Sequence, residues 1–214
     1  FATWQNWLSR DETRAMEKWL TSDVKPERGA FLWGGRGLGK SHALQACCRK
    51  LSIDALYLPL RDLQSFPADQ VLSRAESASL VALDDFDSVE SKQDWHEELF
   101  TMFNRCLETR TQLIFTSNCA PAQLVDVLPD LQSRLSSLAV FQLPRFTESD
   151  IAEFLKLRIG RMGMEVSDDV IKFCAVRLPR QPGQALRFLE NIDNASLAKR
   201  RAITKPFIRE MGLL

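Results

Sequence analysis

The chain has 214 residues, with 28 Lys+Arg set against 28 Asp+Glu, so its formal net charge is zero. At 45% hydrophobic and 26% charged residues it falls among ordinary globular proteins and outside the disordered and membrane-spanning classes. The even balance argues against tight, autonomous DNA binding and leaves room only for a local basic patch.

No apolar run approaches the roughly 20 residues that span a bilayer, and no secretory signal is visible. A cytoplasmic location is the expectation. The five cysteines, Cys47, Cys48, Cys106, Cys119 and Cys174, are odd in number and match no zinc spacing. They read as buried free thiols in a reducing compartment. His42 and His96 have no partner cluster and are not read as metal ligands.

Trp4, Trp7 and Trp19 fall in the first twenty residues beside Leu8, Met16 and Leu20. From Ala15 to Leu20 the spacing predicts an amphipathic helix, with Asp11 and Glu12 near its start. The tryptophans either pack a helix on a sheet or form an aromatic platform for a nucleotide base or a partner. Residues 24–29 read as a loop by their proline and glycine.

Residues 30–33 form a short apolar strand. It enters Gly34-Gly35-Arg36-Gly37-Leu38-Gly39-Lys40-Ser41, followed by His42 and a helix reaching about Leu51. Strand, glycine loop and helix in this order, with the spacing G-x-x-x-x-G-K-S, make a phosphate cradle. Glycines let successive N–H groups turn inward, and the helix start adds its own N–H groups and dipole. Lys40 reaches the β- and γ-phosphates, and Ser41 can ligate Mg²⁺. The nine residues 34–42 are the candidate nucleotide-binding set, with ADP or ATP as ligand.

A second strand spans 55–59 and ends in proline. Residues 69–76 suggest a short helix. Residues 80–83, Leu-Val-Ala-Leu, are an unbroken apolar strand of the kind parallel sheets bury. That strand ends in Asp84-Asp85. An acid at the carboxyl end of an apolar strand is the Mg²⁺-holding half of a phosphate-loop site. Asp84 would hold Mg²⁺ through water, and Asp85 would polarise the attacking water with a reach shorter than glutamate's. The plainer reading is a solvated acidic loop continuing through Asp87, Glu90 and Asp94.

Residues 95–107 carry an apolar helical stripe. A fourth strand, 112–116, ends in Ser117-Asn118, where Asn118 either faces the γ-phosphate or simply forms a turn. Leu128-Pro129-Asp130-Leu131-Gln132-Ser133-Arg134-Leu135 precedes a fifth strand, 139–143. Arg134 is either a surface arginine or one that enters another subunit's nucleotide site. Beyond Thr147 the pattern is helical throughout, with starts near Thr147, Ser167, Gly183 and Pro206.

Alternating strands and helices followed by helices alone predict an α/β parallel-sheet core, residues 1–145, and an all-helical lid, residues 146–214. The tail cations Lys199, Arg200, Arg201, Lys205 and Arg209 read as a solvated face or as phosphate-backbone contacts.

Taken together, residues 31–45, Asp84-Asp85, Thr116-Ser117-Asn118 and residues 128–135 resemble the DnaA-like branch of the AAA+ ATPases. The tail, residues 194–210, resembles the regulators within that branch that inactivate the initiator DnaA. The resemblance implies a nucleotide-holding regulator, active with ADP, that offers an arginine finger to ATP-bound DnaA and promotes its hydrolysis. It makes Arg134 the finger, Asn118 part of the sensor-one segment, and Asp85, Asn118 and Arg134 the catalytic set.

Among partners it implies a DnaA-type initiator, and a sliding clamp reached through a segment expected before Phe1. A homo-oligomer is among the assemblies it allows. An initiator would be expected to continue into a DNA-binding domain where this chain stops. One departure is evident. The family places an arginine at the start of the third lid helix, and here that position falls on Gly183, with Arg180 and Arg187 nearby. This departure and Asp85 imply weak intrinsic hydrolysis. A DNA-remodelling or helicase-loading ATPase is the alternative reading. A small-molecule kinase would need an acceptor pocket with lid arginines, for which no constellation is found.

Overall fold

The structure, a computed structural model, describes residues 2–22, 27–51 and 54–212. The loop expected at 24–29 lies partly outside these, at residues 24–26. Five strands are present among them: β1 (Gly29–Trp33), β2 (Ala55–Pro59), β3 (Leu80–Asp84), β4 (Gln112–Ser117) and β5 (Ala139–Gln142). All pair in parallel, in the order β2-β3-β4-β1-β5. Parallel neighbours need crossover connections, and helices supply them here. These are α2 (Lys40–Leu51), the short α3 (Leu60–Leu63) and α4 (Ala68–Val71), α5 (Gln93–Thr109) and α6 (Pro129–Ser136); α1 (Arg14–Thr21) precedes the sheet.

Every residue of β3 is buried, which accounts for its unbroken apolar run. β5 alternates partly buried and exposed positions, as an edge strand does. The expected stripe on α5 is realised by Trp95, Leu99, Met102, Phe103 and Cys106, all buried. They pack toward Phe31, Phe86 and Phe115, whose ring centroids lie 6.1 to 6.4 Å apart. Burial of rings this large supplies the main apolar stabilisation of the layer.

One expectation changes on this side of the chain. The helix expected at 69–76 is broken into α4 and a 3₁₀ turn at Ala75–Ser77. Arg74 between them adopts the left-handed conformation (φ 56°), which no α-helix continues through. The run before the fifth strand is a helix, α6, with Pro129 in its first turn, where a missing N–H costs nothing. Its apolar residues Leu131 and Leu135 are fully buried. The cysteines also divide: Cys47, Cys106 and Cys174 are buried, whereas Cys48 and Cys119 are only partly so.

The chain separates into two compact units, residues 1–35 with 40–144, and residues 36–39 with 145–214. The second holds α7 (Glu148–Met162), α8 (Asp168–Arg177), α9 (Pro182–Lys199) and α10 (Lys205–Glu210). Their starts follow from local chemistry. The Thr147 hydroxyl accepts the Asp150 N–H at 3.1 Å while the Asp150 carboxylate accepts the Thr147 N–H at 2.7 Å, a reciprocal cap on α7. Pro182 opens α9, and the Thr204 hydroxyl caps α10. Ile151, Leu155, Ile171, Leu189, Ile192, Phe207 and Ile208 form a buried apolar centre.

Candidate nucleotide-binding site

Sheet order places β4 between β3 and β1, so the carboxyl ends of three strands lie side by side. Trp33 pairs with Ser117 and Leu83 with Phe115. The residues after each strand therefore meet above one edge of the sheet, where folds of this kind bind ligands.

From β1 the chain turns at Gly34, whose φ of 153° and 2.6 Å gap between a built Cβ and the Leu143 carbonyl oxygen both require glycine. At the start of α2, Lys40 is buried, 5% exposed. Its Nζ donates to the carbonyls of Gly34 at 2.7 Å and Gly35 at 3.1 Å, and to Asn118 Oδ1 at 3.2 Å. A buried ammonium is stable only when its protons are so used. An incoming phosphate would compete with those three acceptors for the same protons.

β3 delivers Asp84, 4% exposed. Its two oxygens are separately engaged: Oδ1 accepts from the Thr116 hydroxyl at 2.5 Å and Oδ2 from the Tyr57 hydroxyl at 2.7 Å. The Tyr57 phenol is pushed above its ordinary pKa, first by burial and then by the hydrogen bond to Asp84. Thr116 Oγ1 in turn accepts the Asp85 N–H at 2.9 Å.

Asp85 is in the left-handed region (φ 58°), a conformation Asp tolerates better than most residues. This turns its carboxylate to Arg61, whose Nε donates to Oδ2 at 2.8 Å. Asp85 and, more weakly, Asp87 hold the guanidinium pKa further above its ordinary value. Asp87 accepts the Asn118 side-chain amide at 2.6 Å and its backbone N–H at 3.2 Å. Asn118 is thus aimed by Asp87 on one side and bound to Lys40 on the other.

The structure brings together Gly34, Gly35, Lys40, Asp84, Asp85 and Asn118 from the candidates read in the sequence. Ser41 sits partly buried in the first turn of α2. His42 turns toward the N-terminal segment: its Nε2 is 2.9 Å from the Thr3 carbonyl oxygen, and its ring centroid is 5.8 Å from that of Trp7. Arg134 lies on α6, exposed, with its guanidinium carbon 6.0 Å from the centre of the Phe100 ring. Among the described residues it makes no ion pair. Sequence reading missed Tyr57, Arg61, Thr116 and Asp87 as site residues. The available signals are that Tyr57 is the single tyrosine of the chain, set in an otherwise apolar strand, and that Thr116 opens the Thr116-Ser117-Asn118 stretch.

In the second unit, the loop tip Arg36–Gly39 is grouped with the helices. The Gly183 N–H points at the Gly37 carbonyl over a long 3.4 Å. Gly37, at φ 77°, would bring a Cβ to 3.4 Å from Gln181 Oε1. Gly183 occupies the first turn of α9, where the resemblance expects an arginine. Arg180 is engaged within the helical unit, donating to Glu148 at 3.0 Å and to the Ala175 carbonyl at 2.7 Å. Arg187 is exposed on α9.

Residues 5–141 match the family described as the bacterial DnaA ATPase domain. The chain belongs to that family. As a member of the DnaA branch of AAA+ proteins it also carries a second match, to the Hda lid domain, over residues 148–211. Solved structures agree on the fold. Domain III of the Thermotoga maritima replication initiation protein DnaA superposes with a TM-score of 0.87 at 18% identity, covering 100% of this chain and 95% of that one. AMPPCP-bound DnaA from Aquifex aeolicus gives 0.78 at 20% identity, covering 90% of this chain and 65% of that one. The Thermotoga maritima RuvB branch-migration motor gives 0.76 at 13% identity, covering 98% and 70%. This DnaA-family chain thus joins the P-loop α/β core of an AAA+ protein to an Hda-type helical lid.

Proposed function

We propose that the chain is an Hda-like regulator of replication initiation. It binds ADP or ATP and presents Arg134 to the ATP site of a DnaA-type initiator, promoting hydrolysis there. The observation that carries this reading is the joining of a DnaA-type ATPase domain to an Hda lid within one chain. Arg134 supports it as an exposed guanidinium on α6, beside the Phe100 ring. A guanidinium delivered to a developing phosphoryl charge is worth on the order of 10³-fold or more in rate.

The nucleotide would sit on the Gly34–Ser41 loop, with Lys40 exchanging its loop carbonyls for phosphate oxygens. The Ser41 hydroxyl and Asp84 carboxylate fit a magnesium ion, since both are oxygen donors and the acid is buried and held by two hydroxyl groups. When bound, Mg²⁺ neutralises phosphate charge and fixes the phosphates' orientation. Asn118, whose Nδ2 donates one proton to Asp87 and whose Oδ1 accepts from Lys40, would donate its second amide proton to the terminal phosphate. Asp85 is tied to Arg61 and is shorter than glutamate, so the chain's own hydrolysis is slow. Gly183 in place of a lid arginine acts in the same direction.

The test is single-turnover hydrolysis by a purified ATP-loaded DnaA-type initiator, with and without DNA-loaded clamp. Wild type should accelerate it, and Arg134→Ala should lose that acceleration while binding ADP as tightly as wild type. Acceleration retained by Arg134→Ala would sink the finger assignment.

A further inference from the structure

Asp84 is held from both sides by neighbouring strands. Thr116 on β4 donates to one oxygen and Tyr57 on β2 to the other. The Tyr57 hydroxyl is itself fixed. Gln45 Nε2, on α2, lies 3.2 Å from it. A carboxylate accepts only, so the single phenolic proton goes to Asp84 and the Gln45 amide must donate to the phenolic oxygen. Gln45 is four residues after Ser41 on the same helix, hence on the same face, one turn further along. The helix that carries Ser41 therefore also fixes the phenol that fixes Asp84.

We propose that Tyr57, oriented by Gln45, is a positioning residue that aims the Asp84 carboxylate at a divalent cation arriving with the nucleotide. This rests on the reading that Asp84 and Ser41 hold Mg²⁺. A carboxylate's terminal torsion is soft, and an unpinned Asp84 would spread its oxygens over a wide arc. Two hydroxyl donors on opposite oxygens remove that freedom. Outer partners of metal ligands of this kind are worth about 10–100-fold in metal affinity.

A strut that merely ties α2, β2 and β3 together would behave differently. Its loss would weaken nucleotide binding equally with and without the metal. The experiment measures the dissociation constant of a fluorescent ADP analogue in Mg²⁺ and in EDTA for the full chain. In wild type the ratio of the two constants gives the metal-dependent gain. Tyr57→Phe should keep the EDTA affinity within about twofold and lose about tenfold of the gain, the low end of the range for such partners. Gln45→Leu should lose a smaller part of the gain, and it carries the comparison if Tyr57→Phe does not fold. An undiminished gain in both variants overturns the inference alone, and so does an equal loss in both media. A wild-type chain with no metal-dependent gain overturns the Mg²⁺ reading and this inference with it. Lys40→Ala separates the levels further: if it binds the analogue in EDTA as tightly as wild type, the nucleotide site itself is misplaced.

Discussion

In the proposed site, Lys40, Asp84 and Asn118 each already have partners that phosphate or metal would replace or share. Lys40 is bound to the loop it serves, and Asn118 bridges Lys40 to Asp87. The thiols behave oppositely. Burial pushes Cys48, Cys106 and Cys174 up to about 11 from an ordinary 9.0. An acid with a raised pKa stays protonated longer, and the thiolate is the reactive form. At pH 8 these three should alkylate with iodoacetamide about a hundredfold more slowly than an exposed cysteine, from their smaller thiolate fraction alone. Their rates should climb about tenfold per pH unit up to roughly pH 11. Mass-spectrometric labelling at several pH values checks this; labelling of Cys106 as fast as a model thiol at pH 8 would contradict it.

Among elements, α6 shows where residue pattern and tertiary structure divide the work. Its eight residues are too few to be stable alone. Leu131 and Leu135 anchor it to the core, and Arg134, three residues after Leu131, lies exposed at the edge of that same face. Truncating Leu131 leaves a cavity and should cost about 2–5 kcal/mol of unfolding free energy. Urea denaturation of Leu131→Ala against wild type measures it; a loss under about 1 kcal/mol would mean that α6 is not anchored this way. α7 illustrates the reverse, since the cap at Thr147 and Asp150 is local and was legible in the sequence. Helix 69–76 was misread because Arg74 takes a left-handed conformation that no propensity signals.

For the whole molecule, 28 positive and 28 negative side chains leave little net field to attract DNA. Three of the five tail cations are paired: Lys199 and Arg201 share Glu210, and Lys205 pairs with Asp169. DNA should therefore leave any ATP hydrolysis by the chain within about twofold at physiological salt, where screening confines exposed charges to about 8 Å. Strong, salt-sensitive stimulation by duplex or single-stranded DNA would instead favour a DNA-remodelling ATPase.

What the amino-acid order alone determined was whatever depends on near neighbours. The Gly34–Ser41 loop, the apolar strand running into Asp84, the lid-helix starts and the α/β alternation are all written within a few residues of one another. Tertiary structure decided what depends on strand order. Only the sequence β2-β3-β4-β1-β5 sets Tyr57 and Thr116 on opposite oxygens of Asp84 and carries Arg61 to Asp85. Those contacts join residues 24 to 32 positions apart in the chain. Hydrogen bonds are short and directional, so a pairing that distant exists only once the sheet has been assembled.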